Sequence, residues 1–599
     1  MKKIFASLAA ALICVSALSV PAWRGIIKAT QPDGSVVYLQ KHGDEFFHWV
    51  TDSSGQIVEI DADGYWRPAK DGSSSISKRR QAAKAKRNAR SISRKAGGHI
   101  ALGQKRFLVV LAEFSDVKFS SATAQQDFYD MMNLQGYSEN GSTGSTRDYF
   151  YDNSHGVFEP IFEVYGPVTL SKTMSYYGGN DSSGNDKYPE QAIMEACKGL
   201  DGEIDFTKFD NDGDGEVDLV FMYYAGYGEA DSEEENSIWP HQWSLSDAGK
   251  SLSLDGKSIN SYACTNEIVG YGTFAGSMCG IGTACHEFSH AMGLPDFYDT
   301  DYDTNGQAAG MFFFSTMDSG AYNNEGRTPP YLTIEERILM GWINEKDAIK
   351  EFSKSGPISL TTVDDNIAYK TLTDQDGEYF LYECRGSNGW DSALLSNGLV
   401  VTHIDKSSRS VKLSSGSATA YSLWNNWEAS NSINENGSHP CCYVIPSAKQ
   451  SDLMFGYEYY PGYGYYFVDD NAPKIPFPGS SKITSYAAKS WNGVVSEITL
   501  SNIAYSNDVV SFNVSVPSEE LSYPVIANPG NGRYAVGDLF EFSLIMPEAM
   551  NAASIAWFYD DEPVSEANIR LRAGSHTVEA AVTLTSGESM TVTLEISVQ

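Results

Sequence analysis

Cysteine is scarce in this 599-residue chain: there are eight, and Cys14 lies in the N-terminal apolar run. The other seven, Cys197, Cys264, Cys279, Cys285, Cys384, Cys441 and Cys442, lack the short paired spacing of a thiolate metal site. A disulfide scaffold is therefore excluded; one or two bridges fit the count, and an odd number leaves at least one thiol free. Positive charge is also in short supply, with 43 Lys and Arg against 77 Asp and Glu and a formal charge of −34. That balance argues against a nucleic-acid partner, because phosphate binding needs clustered cations that release counterions. Beyond residue 22 no apolar run is long enough to span a bilayer, so no transmembrane segment is expected in the mature chain.

What is present begins with MKKIFASLAAALICVSALSVPAW: Lys2 and Lys3, an apolar run from Ile4 to Val20, and small residues ending at Ala22. This pattern predicts a secretory signal peptide over 1–22, cleaved after Ala22, and hence a secreted protein, or a periplasmic one. Cys14 comes after Leu12 and Ile13 inside the apolar run, which argues against a lipid anchor.

At about 150 residues per domain the length predicts several units in a multidomain α+β protein. Residues 23–77 read as a β-rich unit, with VVYLQ and FFHWV separated by the turn pairs Asp33/Gly34 and Asp63/Gly64. Residues 78–100 form a linker with nine basic residues from Lys78 to Lys95 and no acid. Residues 23–100 carry fourteen basic and eight acidic groups, so the chain's acidity lies beyond residue 100. A basic segment before an acidic body is expected to be a propeptide that docks on that body and is cut at the linker. Residues 101–350 mix strands (LVVLA, DLVFMYYAG) with helical stretches (YPEQAIMEACKGL, IGTACHEFSHAMG). Residues 351–517 are β-rich, with EYFLYE and GLVVTHID, and 518–599 read as a small Ig-like β-sandwich.

The chemistry concentrates in TACHEFSHAMGLPDFYD, residues 283–299. Ile281, Ala284, Phe288, Ala291 and Met292 recur at helical intervals, so His286 and His290 project from one helix face, one turn apart. Gly293 suits a left-handed cap and Pro295 stops the helix, so the chain bends back and can bring Asp296 to the same ion. Two imidazoles and a carboxylate give Zn2+ three ligands and an open fourth position, the pattern of a catalytic site. Glu287, beside the first histidine, is placed to act as general base. No glutamate occurs from 291 to 324; Glu325 sits in a turn-like stretch, and Glu335 and Glu336 read as the solvated face of a later helix.

With HExxHxxGxxD in view, the segment resembles the immune inhibitor A family of secreted zinc metallopeptidases, whose third ligand is an aspartate. FSTMDSG, TPPYLTIEERILMGW, FDNDGDGEVDLVFMYYAG, IWPHQW and EYFLYECRGSNGWDSALLSNGLVVTHID extend the likeness over roughly residues 30–515. The resemblance implies a metzincin-like α/β protease domain, a methionine turn at Met317 beneath the metal, and a zymogen acting on extracellular proteins. It departs where metzincins often carry a tyrosine two places after the methionine: Ser319 stands there, and Tyr322 is the nearest candidate oxyanion helper. With no cysteine in 23–100, a thiolate latch is excluded, and an aspartate such as Asp44 is a candidate for that part.

Two aspartate runs invite Ca2+, which takes several oxygens: Asp210, Asp212, Asp214 and Asp218 in FDNDGDGEVD, and Asp299, Asp301 and Asp303 after the zinc motif. The first is not a full EF-hand, because its twelfth position is Phe221. His241 and His403 read as structural, and GYEYYPGYGYYF near 460 as a packed β-loop. The expected activity is zinc-dependent hydrolysis of extracellular proteins or peptides by an endopeptidase whose own propeptide is a partner. The alternative is a non-catalytic, metal-stabilised protein that binds glycans or a host surface through its C-terminal sandwich. A cysteine hydrolase built on Cys279 or Cys285 is the weakest reading.

Overall fold

The computed structural model describes residues 20–69, 101–517 and 523–598, less residues 24, 45–46, 182–183 and 301–308 and parts of 409–473 and 528–567. Residues 1–19 of the expected signal peptide, the basic linker, Asp301 and Asp303 lie outside the described residues. Contacts divide the chain into two units, Met1–Val516 and Pro517–Gln599.

The first unit opens with a five-stranded antiparallel meander: β1 Ile26–Thr30, β2 Val36–Gly43, β3 His48–Asp52, β4 Ile57–Ile60 and β5 Trp66–Pro68. This sheet packs on a larger body. Lys41, 3% exposed, sets its ammonium 2.6 Å from Glu235 Oε1 and 2.6 Å from the Glu229 carbonyl oxygen. His48 lies with Nε2 3.2 Å from Glu229 Oε1 and its ring stacked on Trp239.

The body is built on β6 Gly103–Glu113, β7 Phe158–Thr169, β8 Val220–Tyr227, β9 His241–Ser244 and β10 Ser261–Ile268. Their order is β9-β10-β8-β6-β7, parallel throughout except for the edge strand β9. Both faces are covered, as a parallel core requires. Alternation sends Phe107, Val109 and Leu111 of β6 to one face and Leu108, Val110 and Ala112 to the other. On the first face lie α1 Ala124–Asn133, α2 Thr146–Asn153 and α4 Gly282–Ala291; on the second lies α3 Pro189–Gly199.

The apolar core around α4 does not stop near residue 350. Leu381 of β11 Glu378–Arg385, Val400 and Ile404 of β12 Gly398–Asp405, and Val444 of β13 Cys442–Ile445 share one cluster with Phe288, Phe297 and Met317. The β-rich stretch therefore builds one wall of the same core. The short helix α5, Ile334–Leu339, is buried beneath it. Its Glu335 and Glu336 are 3% and 0% exposed, which corrects the expectation of a solvated face. Glu336 closes a capping box with Thr333, and Glu335 accepts from the Tyr379 hydroxyl at 2.8 Å.

Among the described residues the second unit has an antiparallel four-stranded sheet over 552–598 and two small antiparallel strand pairs around a core that includes Phe542, Tyr559, Val578 and Ile596. Strands thus dominate a multidomain chain with few helices. No helix of the described residues is long and apolar enough to cross a membrane. The seven described cysteines are all free thiols.

Candidate metal centre

Helix α4 is buried on almost every side, which its apolar residues permit and its polar ones must justify. Phe288 anchors it: its ring stacks on Phe221 at 4.8 Å and meets Phe162 at 4.9 Å and Phe107 at 5.5 Å edge to face. Burying such a ring contributes about 2–3 kcal/mol. Gly282 admits the turn after Met317 to the start of the helix, because a Cβ there would lie 1.9 Å from the Ala321 carbonyl oxygen.

The helix ends in a Schellman motif. Gly293, at φ +103°, donates to the His290 carbonyl at 2.9 Å, and Leu294 donates to that of Ser289 at 3.0 Å. The reversal brings the Leu294 carbonyl back to His290, whose Nδ1 lies 2.8 Å from it. His286 Nδ1 lies 2.7 Å from the carbonyl oxygen of Thr316. Each Nδ1 therefore carries the hydrogen, and each Nε2 presents a lone pair.

Those lone pairs converge on Asp296. His286 Nε2 and His290 Nε2 are 2.9 Å apart, and Asp296 Oδ1 lies 3.3 and 3.2 Å from them. Ligands at about 2.0–2.1 Å around a tetrahedral ion stand roughly 3.3 Å apart. The triangle fits one such ion, and the facing Nε2 lone pairs would repel without a positive charge between them. All three side chains are buried. Burial pushes the His290 imidazole below its usual pKa, favouring the neutral, ligating form. For Asp296 burial works toward a higher pKa, but the two imidazoles hold its carboxyl well below the usual carboxylate range.

Glu287 is fully buried beside His286, on the same helix. Met317 is buried at 0% exposure, and its carbonyl accepts from Phe297, the residue after Asp296, at 2.9 Å. One turn thus holds two candidate ligands, His286 through Thr316 and Asp296 through Phe297. Sequence reasoning marked Met317 but missed Thr316, whose contribution is a backbone carbonyl that no side-chain pattern announces. Cys285 is buried among apolar side chains, with its thiol pushed well above its usual pKa by burial, as a packing residue should be.

Other candidate residues scatter. Tyr322 donates its hydroxyl to the Pro21 carbonyl at 2.7 Å. Asp44 is buried and accepts from the Phe47 amide at 3.1 Å. Asp210, Asp212 and Asp214 group together, but Asp210 is neutralised by the Lys257 ammonium at 2.6 Å. Asp218 is not in that group; its Oδ2 accepts from the Asn211 amide at 3.0 Å. Asp299 is buried. His241 and His403 are held inside by hydrogen bonds, His403 between Tyr443 and Glu378.

The buried histidine pair and carboxylate form a donor set for a metal ion, with a glutamate next to the first histidine on the same helix. Residues 103–333 match the family model "Immune inhibitor A peptidase M6, catalytic domain". Immune inhibitor A of Bacillus thuringiensis subsp. alesti is 24% identical over 346 residues, covering 47% of this chain and 49% of that protein. Pre-pro-metalloprotease PrtV of Vibrio cholerae serotype O1 is 25% identical over 354 residues, covering 48% of this chain and 38% of its own length. The chain thus spans half or less of the length of these curated relatives. Crystal structures of OgpA from Akkermansia muciniphila, one with an O-glycopeptide substrate, align over 83% of this chain and 94% of theirs. Their identity is 10–11% and their TM-score 0.19–0.20, too low to carry an argument.

Proposed function

We propose that the protein is a secreted zinc-dependent endopeptidase, made as a zymogen, that hydrolyses peptide bonds of extracellular proteins. The observation that carries this reading is the triangle of His286 Nε2, His290 Nε2 and Asp296 Oδ1 with Glu287 adjoining it on α4.

His286, His290 and Asp296 would hold the ion, which when bound supplies Lewis acidity toward a water and the scissile carbonyl. Glu287 takes a proton from the attacking water on its carboxylate and delivers it to the leaving amine nitrogen. The Thr316 and Leu294 carbonyls keep both imidazoles in the ligating tautomer throughout.

Latency is assigned to the meander over 26–68, whose Lys41 and His48 are sunk into the body next to Trp239 and Glu229. Cutting the basic linker is the step that lets it leave. The all-β unit after 517 is assigned the Ig-like sandwich role of an accessory module. The test is incubation of the purified chain with casein, before and after trimming at the linker, with a zinc chelator and then zinc restored. Cleavage that appears on trimming, stops with chelator and returns with zinc supports the reading; a trimmed, zinc-loaded sample that cleaves nothing overturns it.

A further inference from the structure

We propose that Glu336 is a positioning residue of the metal centre, acting through the Ser315 hydroxyl on the peptide plane whose carbonyl orients His286. The proposal rests on the metallopeptidase reading above.

The planarity of the peptide bond couples the groups involved. The Thr316 carbonyl that receives His286 Nδ1–H and the Met317 N–H belong to one peptide unit, so whatever fixes that N–H direction also fixes the carbonyl. The Met317 N–H donates to Ser315 Oγ at 2.9 Å. A serine hydroxyl can accept there in a defined direction only if its own hydrogen points elsewhere. That hydrogen goes to Glu336 Oε1, 2.5 Å away. A continuous line of hydrogen bonds thus runs from Glu336 through Ser315 and the 316–317 peptide to the imidazole of His286.

Glu336 is itself held. Its second oxygen accepts from the Thr333 amide at 2.6 Å, and its own amide donates to Thr333 Oγ1 at 3.2 Å. A glutamate that merely closes a capping box can do so at the surface; this one is 0% exposed and spends its other oxygen on a turn 21 residues away. Burial of an acid costs free energy, and here it is offset by the contact to that turn together with the cap contacts to Thr333. The turn is clamped from two further sides. Arg385 donates to the Phe314 carbonyl at 2.8 Å, and the Thr316 hydroxyl meets that of Tyr149 at 2.7 Å. With the Phe314 carbonyl and the Thr316 side chain held, Ser315 and Glu336 act on the 316–317 plane between them.

The test uses the full-length chain trimmed at its linker, as wild type and as Glu336→Ala, Glu336→Gln and Ser315→Ala. Zinc affinity is measured by chelator competition, the cobalt-substituted protein by its visible spectrum, and casein cleavage as separate kcat and KM. Loss of an outer partner of a ligating histidine lowers metal affinity or activity by about 10–100-fold. Glu336→Ala and Ser315→Ala are expected to lose roughly tenfold in zinc affinity and in kcat with KM held, and to shift the cobalt spectrum. Glu336→Gln, which keeps a polar contact to Ser315, is expected to recover most of the loss. Folded alanine variants with wild-type zinc affinity, spectrum and kcat overturn the proposal, and Ser315→Ala decides alone if Glu336→Ala does not fold. A wild-type chain that takes up no zinc overturns the peptidase reading and this proposal with it; unaffected variants of a zinc-loaded, active wild type overturn only this one.

Discussion

The hydroxyl of Tyr322 donates to the carbonyl oxygen of Pro21 across 2.7 Å, joining residues 301 positions apart. The short turn that carries Tyr322, Ser319–Tyr322, packs against α4. Beside it Trp23 stacks on Tyr271 at 4.1 Å. Pro21 belongs to the expected signal peptide, so removal of that peptide would release the Tyr322 hydroxyl, the candidate donor to a substrate carbonyl. Tyr322→Phe is expected to leave zinc content unchanged and to lower kcat of the freed enzyme by roughly a hundredfold, the usual loss for one oxyanion donor. Undiminished kcat in that variant removes Tyr322 from the mechanism.

Glu287→Gln keeps the shape of the side chain and removes its basicity. Zinc should remain bound, and kcat for casein should drop by about 10²–10⁴-fold. Metal analysis beside the assay separates this from loss of the ion. Full activity with full zinc content would assign the base elsewhere.

Gly293→Ala tests the cap that returns the chain to the metal. No atom lies within 4 Å of where the new Cβ would sit, so the expected cost comes from the backbone angle of +103° alone. A loss of about 1–2 kcal/mol is expected. Because the Leu294 carbonyl orients His290 through this turn, zinc affinity should fall along with stability in a denaturant melt. A variant as stable as wild type would show that the turn tolerates a Cβ.

Two buried acids set a pH trend. Burial raises Asp231 and Glu383 each to about 7. Unfolded, the same groups ionise near 4, so between about pH 4 and 7 the folded chain holds protons that the unfolded chain has lost. Their contribution to stability is full below about pH 4 and falls as pH rises toward 7. Urea melts at pH 5 and 7 should show Asp231→Asn gaining on wild type at the higher pH. An equal difference at both values would mean that Asp231 does not titrate in this window.

Lys41→Ala removes the ammonium that the meander buries against Glu235 and the Glu229 carbonyl. Losing one partner of a desolvated charged contact costs about 2–5 kcal/mol and acts mainly on dissociation. After the linker is cut, the variant meander should leave faster, read as a shorter lag before casein cleavage. An unchanged lag would place the hold on the body elsewhere.

The candidate ligand set was readable because it is local. Eleven residues carry both histidines, the cap and Asp296, and helical spacing followed by a left-handed glycine delivers their geometry with little help from the rest of the chain. The strands LVVLA and DLVFMYYAG were legible for a similar reason, since continuous apolar runs suit strands buried on both faces. Glu335 and Glu336 were misread because a six-residue helix is too short for its period to show which face is covered. Their partners, Ser315, Tyr379 and Lys406, come from 21, 44 and 71 residues away.

Local sequence was enough to single out the side chains assigned to the metal and the one assigned as base, because their relative placement depends on backbone geometry within three helical turns. How rigidly that site is held was settled by the tertiary fold. The Thr316 carbonyl, the Ser315 and Glu336 pair, the Arg385 clamp and the N-terminal sheet over the body all act through long-range packing. Such contacts join groups whose meeting depends on the whole core closing, and no local pattern encodes it.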